Sequence, residues 1–191
     1  MKSLKVISLL LAALLLVGSL TACGSKDKKD DGATSSASAA EETTQEQVKK
    51  EAIEGWFYAE IPEGFKVSSN SDTEFVGDNG KIISVSLRKT FSDTPDAAAF
   101  AKDKADDTFK AADDLTIGKY TYKTLDFKWD GGAASKKLFA DVYEGYVAEI
   151  TLFCLTPDDA DAKAFLESFE LVEGNPDDNQ QKYLQEKYSN Q

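Results

Sequence analysis

Two cysteines and a surplus of carboxylates are the side chains of this sequence with the most chemistry to offer. Cys23 and Cys154 are the only thiols, and 34 acidic side chains face 22 basic ones over 191 residues, a formal net charge of −12. Facing carboxylates can run glycoside hydrolysis, and Asp106-Asp107, Asp113-Asp114, Asp158-Asp159 with Asp161, and Asp177-Asp178 offer pairs. Each pair also reads as the solvated charge that gathers at helix ends. Asp72, Glu74, Asp78 and Asn79 crowd oxygen donors near one turn, the ligand type calcium takes. Their spacing does not match the Asp-x-Asp-x-Asp-Gly loop. Histidine is absent, which removes Ser-His-Asp and Cys-His catalysis, His-containing zinc sites and the commonest acid–base group near neutral pH. No catalytic, cofactor or metal residue is assigned, and the expectation is a non-enzymatic protein with no cofactor.

The two thiols have different settings. Cys154 alternates with Ile150 and Leu152 and has no histidine beside it, so it reads as a small buried hydrophobe rather than a reactive group. Cys23 follows a short basic start, Lys2 and Lys5, and an apolar run from Val6 to Leu20 broken only by Ser8, Gly18 and Ser19. That is the pattern of a secretory signal: the run is shorter than the roughly 20 residues needed to span a bilayer, and no basic stop-transfer flank follows.

Leu20-Thr21-Ala22-Cys23-Gly24 sets a Leu and two smaller residues before the Cys, and this resembles the lipobox of bacterial lipoproteins. The resemblance implies that residues 1–22 are removed as a signal peptide and that Cys23 becomes the first residue. Its thiol would take a diacylglyceryl group with fatty acyl chains such as palmitate. The other readings are an unprocessed signal anchor and ordinary cleavage after Ala22. At about 0.8 kcal/mol per buried methylene, two acyl chains hold a protein at a membrane far better than one. The expected location is therefore the cell membrane, lipid-anchored and facing the extracytoplasmic side.

Loss of residues 1–22 removes Lys2 and Lys5 and no acid, so the 22 basic side chains fall to 20 against 34 acidic ones. Neutralising phosphates takes clustered Lys and Arg, and Arg88 is the single arginine; nucleic acid is not an expected partner. With Cys23 acylated, Cys154 has no partner for a disulfide, and the fold rests on its core.

Residues 23–54 are Ser, Ala, Thr, Asp, Glu and Lys with few apolar side chains, which cannot offset their ordering entropy. They read as a flexible linker. The globular domain is expected at 55–173. Trp56 to Ile61 is strand-like and is broken by Pro62-Glu63-Gly64. Asp78-Asn79-Gly80 joins two strand-like runs as a hairpin turn, and Ile83, Val85 and Leu87 give the second run one buried face. Thr94-Pro95-Asp96 reads as a helix start, with Ala97, Phe100, Ala101, Ala105 and Phe109 as the apolar stripe. Strands then follow through Trp129, with a turn at Asp130-Gly131-Gly132. A second hairpin turns at Glu144-Gly145 into a strand at Tyr146 to Leu155 that is apolar on both faces, as a central strand is. Thr156-Pro157-Asp158-Asp159 repeats the helix-start chemistry before Ala160, Ala164, Phe165 and Phe169. Residues 174–191 read as a polar tail, with a short weakly amphipathic helix around Tyr183, Leu184 and Tyr188 as the alternative.

The fold class expected from this order is α+β, an antiparallel sheet with helices on both faces. Phe57-Tyr58-Ala59-Glu60-Ile61-Pro62-Glu63-Gly64-Phe65, the Ser92-to-Phe109 helix, the Tyr120-to-Leu155 strands and Ala164-Phe165-Leu166-Glu167-Ser168-Phe169 resemble the Mog1/PsbP-like α/β/α sandwich of many bacterial lipoproteins. The resemblance implies a scaffold for binding rather than catalysis, and it carries no site residue across.

The leading expectation is a lipid-anchored extracytoplasmic domain that binds a protein or other envelope component. Its binding surface is placed on the sheet aromatics Trp56, Phe57, Tyr58, Tyr120, Tyr122, Tyr143 and Tyr146. The alternatives are a small-molecule receptor or transporter accessory, which needs an enclosed pocket, and a carboxylate hydrolase, which needs two facing acids.

Overall fold

The structure, a computed structural model, describes residues 52–189. The expected signal peptide, Cys23 and the expected linker up to residue 51 lie outside the described residues. Nine strands and three helices follow: β1 (Phe57–Tyr58), β2 (Lys66–Ser68), β3 (Ser71–Val76), β4 (Ile82–Lys89), α1 (Ala97–Lys104), β5 (Lys110–Ile117), β6 (Tyr120–Trp129), β7 (Ala133–Tyr143), β8 (Tyr146–Phe153), α2 (Ala160–Ser168), β9 (Glu170–Leu171) and α3 (Pro176–Ser189). The fold class is α+β. Seven strands form one antiparallel sheet in the order β2-β3-β4-β8-β7-β6-β5, and β1 pairs with β9. Among the described residues no helix is long and apolar enough to cross a membrane.

Turn chemistry sets the hairpins where the sequence places them. Asn79 and Gly80 take positive φ, 59° and 75°, between β3 and β4, a backbone that Asn and Gly enter at least cost. Gly145 does the same, φ 80°, between β7 and β8. β8 lies between β4 and β7, and its first seven residues are buried. Its side chains alternate between two apolar layers. Ala148, Ile150 and Leu152 join Ile83, Val85, Leu138 and Tyr122 beneath Phe165, Leu166 and Phe169 of α2 and its end. Val147 turns the other way, with Leu125 and Phe139, beneath Ala97, Phe100 and Ala101 of α1. Each fully buried large side chain contributes about 1.5–3 kcal/mol relative to exposure, so the helices are held by these stripes rather than by propensity.

Both helix starts sit further along than Thr94 and Thr156. Asp96 caps α1, its carboxylate accepting from Ala99 N at 2.8 Å, while Asp141 of β7 accepts from Ala97 N at 2.9 Å. Thr94 is instead closed into a backbone turn with Phe91. α1 ends at Lys104, short of Phe109. Asp106 accepts from Thr108 N and Phe109 N at 2.6 and 2.8 Å, a local turn that competes with another helical turn. α2 starts at Ala160, and Asp159 reaches back to Thr156 N and Oγ1 at 2.7 and 3.0 Å.

The polar tail is corrected to a helix, α3. Pro176 occupies its first position, Asn175 Oδ1 accepts from Asp177 N at 2.9 Å, and Asp177 and Asp178 lie in the first turn, all favourable at a helix N-terminus. The helix docks on the domain by polar means: Lys187 to Asp72 at 2.6 Å, Asp177 to Lys89, and the Asn179 amide to the Glu173 carbonyl at 3.1 Å.

Candidate functional site

α2 covers one face of the sheet. On the other face α1 lies over β6 and β7, and the side chains of β3 and β4 there remain half-buried or exposed. Strand register arranges this second face in rows. Val76, Ile82 and Phe153 form the first row, extended by Trp129 and Phe127, whose rings stand 4.8 and 5.8 Å from that of Phe153. Glu74, Ser84, Thr151 and Lys137 form the next, then Ser86, Glu149 and Phe139, then Arg88, Val147 and Asp141.

Glu149 is the centre of the polar rows. It is 6% exposed, and its carboxylate accepts from Arg88 Nε at 2.8 Å and from Lys137 Nζ. Burial pushes its pKa up, but the hydrogen bonds and charges of Lys137 and then Arg88 outweigh burial and hold it below the ordinary value. The carboxylate is therefore ionised at neutral pH and fixes two cations. Lys137 is further enclosed by the Phe109 ring, 5.6 Å from its ammonium. Arg88 stays half-exposed, and its Nη groups have no partner among the described residues. Thr151 is also 6% exposed, yet its hydroxyl makes no hydrogen bond to a described residue, nor do those of Ser84 and Ser86. Beside them Trp129 is 47% exposed. The arrangement is a shelf: aromatic at one end, of mixed charge at the other, where Arg88, Lys137, Glu149, Glu74 and Asp141 gather, with the Ser84, Ser86 and Thr151 hydroxyls between.

The aromatic surface expected from the sequence is not there. Trp56, Phe57 and Tyr122 are buried, Tyr146 is nearly so, Tyr58 and Tyr120 are half-buried, and Tyr143 alone is exposed, at 41%. Trp56, Phe57 and Tyr120 pack against Phe169 at the end of α2; they close the core where the sheet stops. Trp129 and Phe153 were legible only as strand residues. α1 stops at Lys104, and beyond it Phe109 still packs on this face, 5.1 Å ring to ring from Phe127 and beneath the Lys137 ammonium, while Trp129 stays exposed.

Cys154 also differs from expectation. It lies just past β8 with φ 53°, half-buried and free, outside both core clusters, and its N–H donates to Ser135 Oγ at 2.9 Å. The strand ends at Phe153, so the alternation with Ile150 and Leu152 stops one residue early.

Four acids of the sequence pairs form ion pairs with lysines. Asp114 pairs with Lys123 at 2.6 Å, Asp161 with Lys81 at 2.8 Å, Asp107 with Lys110 at 3.2 Å, and Asp177 with Lys89. Asp113 and Asp114 sit at a bulge of β5, not at a helix end. Asp72 is held by Lys187, and no group of three or more metal-ligating side chains is assembled among the described residues. A groove of about 590 Å³ lies between Lys110, Lys128, Lys136, Asp126 and Pro157 and opens to solvent.

Compared with protein-family models, curated proteins and solved structures, the chain matches none.

Proposed function

We propose that this chain is a lipid-anchored extracytoplasmic binding protein, held at the cell membrane through Cys23 and engaging an envelope component with the open sheet face. The anchor rests on Leu20-Thr21-Ala22-Cys23-Gly24 after the apolar run. The binding role rests on Trp129, an exposed indole packed on Phe153 at the end of a sheet strand, the kind of anchor that dominates recognition surfaces. The described site has the parts for positioning a partner rather than for bond-making, which favours a non-catalytic role. The hairpins, a helix on each face and the sequential β5-to-β8 meander support a Mog1/PsbP-like sandwich as the fold family. A second reading, a small-molecule accessory protein, would use the groove at Lys110, Lys128 and Lys136, which opens to solvent rather than forming the enclosed pocket that reading calls for.

The test uses the full chain in cells. Cys23→Ala should move the protein from membranes to the soluble fraction and abolish the mass added by acylation; retention at the membrane would overturn the anchor. A photo-crosslinking residue at Ser84 should capture an envelope component, with capture lost in Trp129→Ala. Crosslinks that form instead from Lys128 would favour the groove.

A further inference from the structure

The sheet opens between β3 and β4. Their register ends at Glu74 opposite Ser84, although β4 runs on to Lys89. The cause is local. Ser71 Oγ accepts from Thr73 N at 3.3 Å and lies 3.1 Å from the Thr73 hydroxyl, so the residue next in line to pair with Val85 turns its donor back into its own strand. On the other side β4 stays paired with β8 from Ile82 to Lys89.

In an antiparallel ladder successive residues direct their backbone groups to opposite neighbours. Gly77 N donates to the Lys81 carbonyl at 2.9 Å, and Thr90 N to the Gly145 carbonyl at 2.9 Å. The odd-numbered residues of β4 therefore address β3 and the even-numbered ones β8. Leu87 and Lys89 aim both N–H and C=O into the space beside the shortened β3 ladder, and these groups make no bond to a described residue. A cavity of about 300 Å³ lies there, lined among others by Thr73, Trp56, Leu87, Lys89 and, from α3, Asp177 and Gln180.

We infer that this gap is a strand-acceptor site, taking one extended segment of a partner protein. Its free groups select the occupant, since N–H and C=O groups spaced along a strand are matched by another extended backbone, as when peptides add to sheets. The pleat sets the side-chain pattern of that segment. Val85, Leu87 and Trp56 belong to the apolar layer beneath α2, while Ser86 and Arg88 point to the other face, so apolar and polar side chains would alternate along it.

The outer edges of the sheet offer less. β2 has three residues, and β5 is broken by a bulge at Asp113-Asp114, two devices that blunt an edge. A second copy of the chain also fits less well. The gap is bordered by Thr73 of β3 and by Asp177 and Gln180 of α3, which leaves room for a single segment and not for the edge of another folded sheet. The inference rests on the backbone of β4 and does not depend on the Trp129 face.

The experiment follows amide hydrogen exchange by NMR in the isotope-labelled full chain in detergent. In the free chain Leu87 and Lys89 should exchange at least about tenfold faster than Ser86 and Arg88, whose amides bond to β8. The probe is an array of short peptides that alternate Val or Leu with Thr or Gln. At least one should bind saturably and slow exchange at Leu87 and Lys89 while Ser86 and Arg88 keep their rates. N-methylation of alternate amides is made in the peptide, so folding of the chain is not at stake. It should lower affinity at least about tenfold in the register that faces β4 and far less in the other. Exchange at Leu87 and Lys89 no faster than at their neighbours, no binding by any peptide of the array, or equal losses in the two methylated registers would overturn the inference.

Discussion

Gly55 and Tyr183 touch so closely that a β-carbon on Gly55 would stand 2.4 Å from Tyr183 Cβ and 2.8 Å from the Asn179 carbonyl oxygen. Helix α3 therefore rests on bare backbone, at a residue that also has φ +75°. The charged attachments of α3, Lys187 to Asp72 and Lys89 to Asp177, are exposed ion pairs that screen away in salt, which leaves the amide bonds of Asn179 and Gln180.

Gly55→Ala should accordingly undock α3 and leave the sandwich folded. The left-handed backbone alone costs a β-carbon about 1–2 kcal/mol, and the clash adds to it. Circular dichroism should lose helical signal with the sheet signal kept, and limited proteolysis should cut within 173–189. An unchanged protease pattern would show that the contact relaxes freely.

Glu149→Gln should destabilise the domain by about 1–3 kcal/mol in urea unfolding, because Lys137, with 17% of its side chain exposed, is left without a counter-charge. The same carboxyl makes stability pH-dependent. Its folded pKa lies below the ordinary 4.5, so the folded state favours the charged form. The contribution is complete above that value and is lost as pH falls below it, through the folded pKa. The Gln variant should show a flatter stability profile below pH 4.5 than the parent.

Tyr122→Phe should cost nothing and gain up to about 1 kcal/mol in chemical unfolding. The Tyr122 hydroxyl is buried without a partner among the described residues, and burial pushes its pKa well above the usual phenol value. A destabilisation above 1 kcal/mol would reveal a partner such as a buried water.

Asp96→Ala should cost about 1 kcal/mol and Thr94→Ala clearly less, since the cap of α1 is Asp96. Equal losses would restore Thr94 as the cap.

Local chemistry in the sequence is enough to place the turns and the central strand. Asn79-Gly80, Asp130-Gly131-Gly132 and Gly145 need positive φ, and the two-sided apolar pattern of Tyr146 to Phe153 has no use outside a sheet interior. What was not legible depends on distance. Whether Trp56 or Trp129 faces solvent is decided by where α1 stops and where Phe169 packs, and neither is written in the strand's own alternation. The α3 signal, Asn175-Pro176-Asp177-Asp178, was present, but a helix with so few apolar side chains has no stripe to announce a docking site. The union of Arg88, Lys137 and Glu149 spans 61 and 12 residues of sequence, and only the register of β4, β8 and β7 joins them.

The strand order has a kinetic meaning. Each neighbouring pair in the seven-stranded sheet is consecutive along the chain except β4 and β8, so two meanders, β2-β3-β4 and β5-β6-β7-β8, can each zip from local turns. Their union is the one long-range closure within that sheet, and loop-closure entropy makes such steps slow. The shelf straddles that closure: Arg88, Ser84 and Ser86 come from one meander, and Glu149, Thr151, Lys137 and Trp129 from the other. On the proposed reading of this face as a binding surface, neither half-built sheet carries it, and recognition waits for the β4–β8 seam to form.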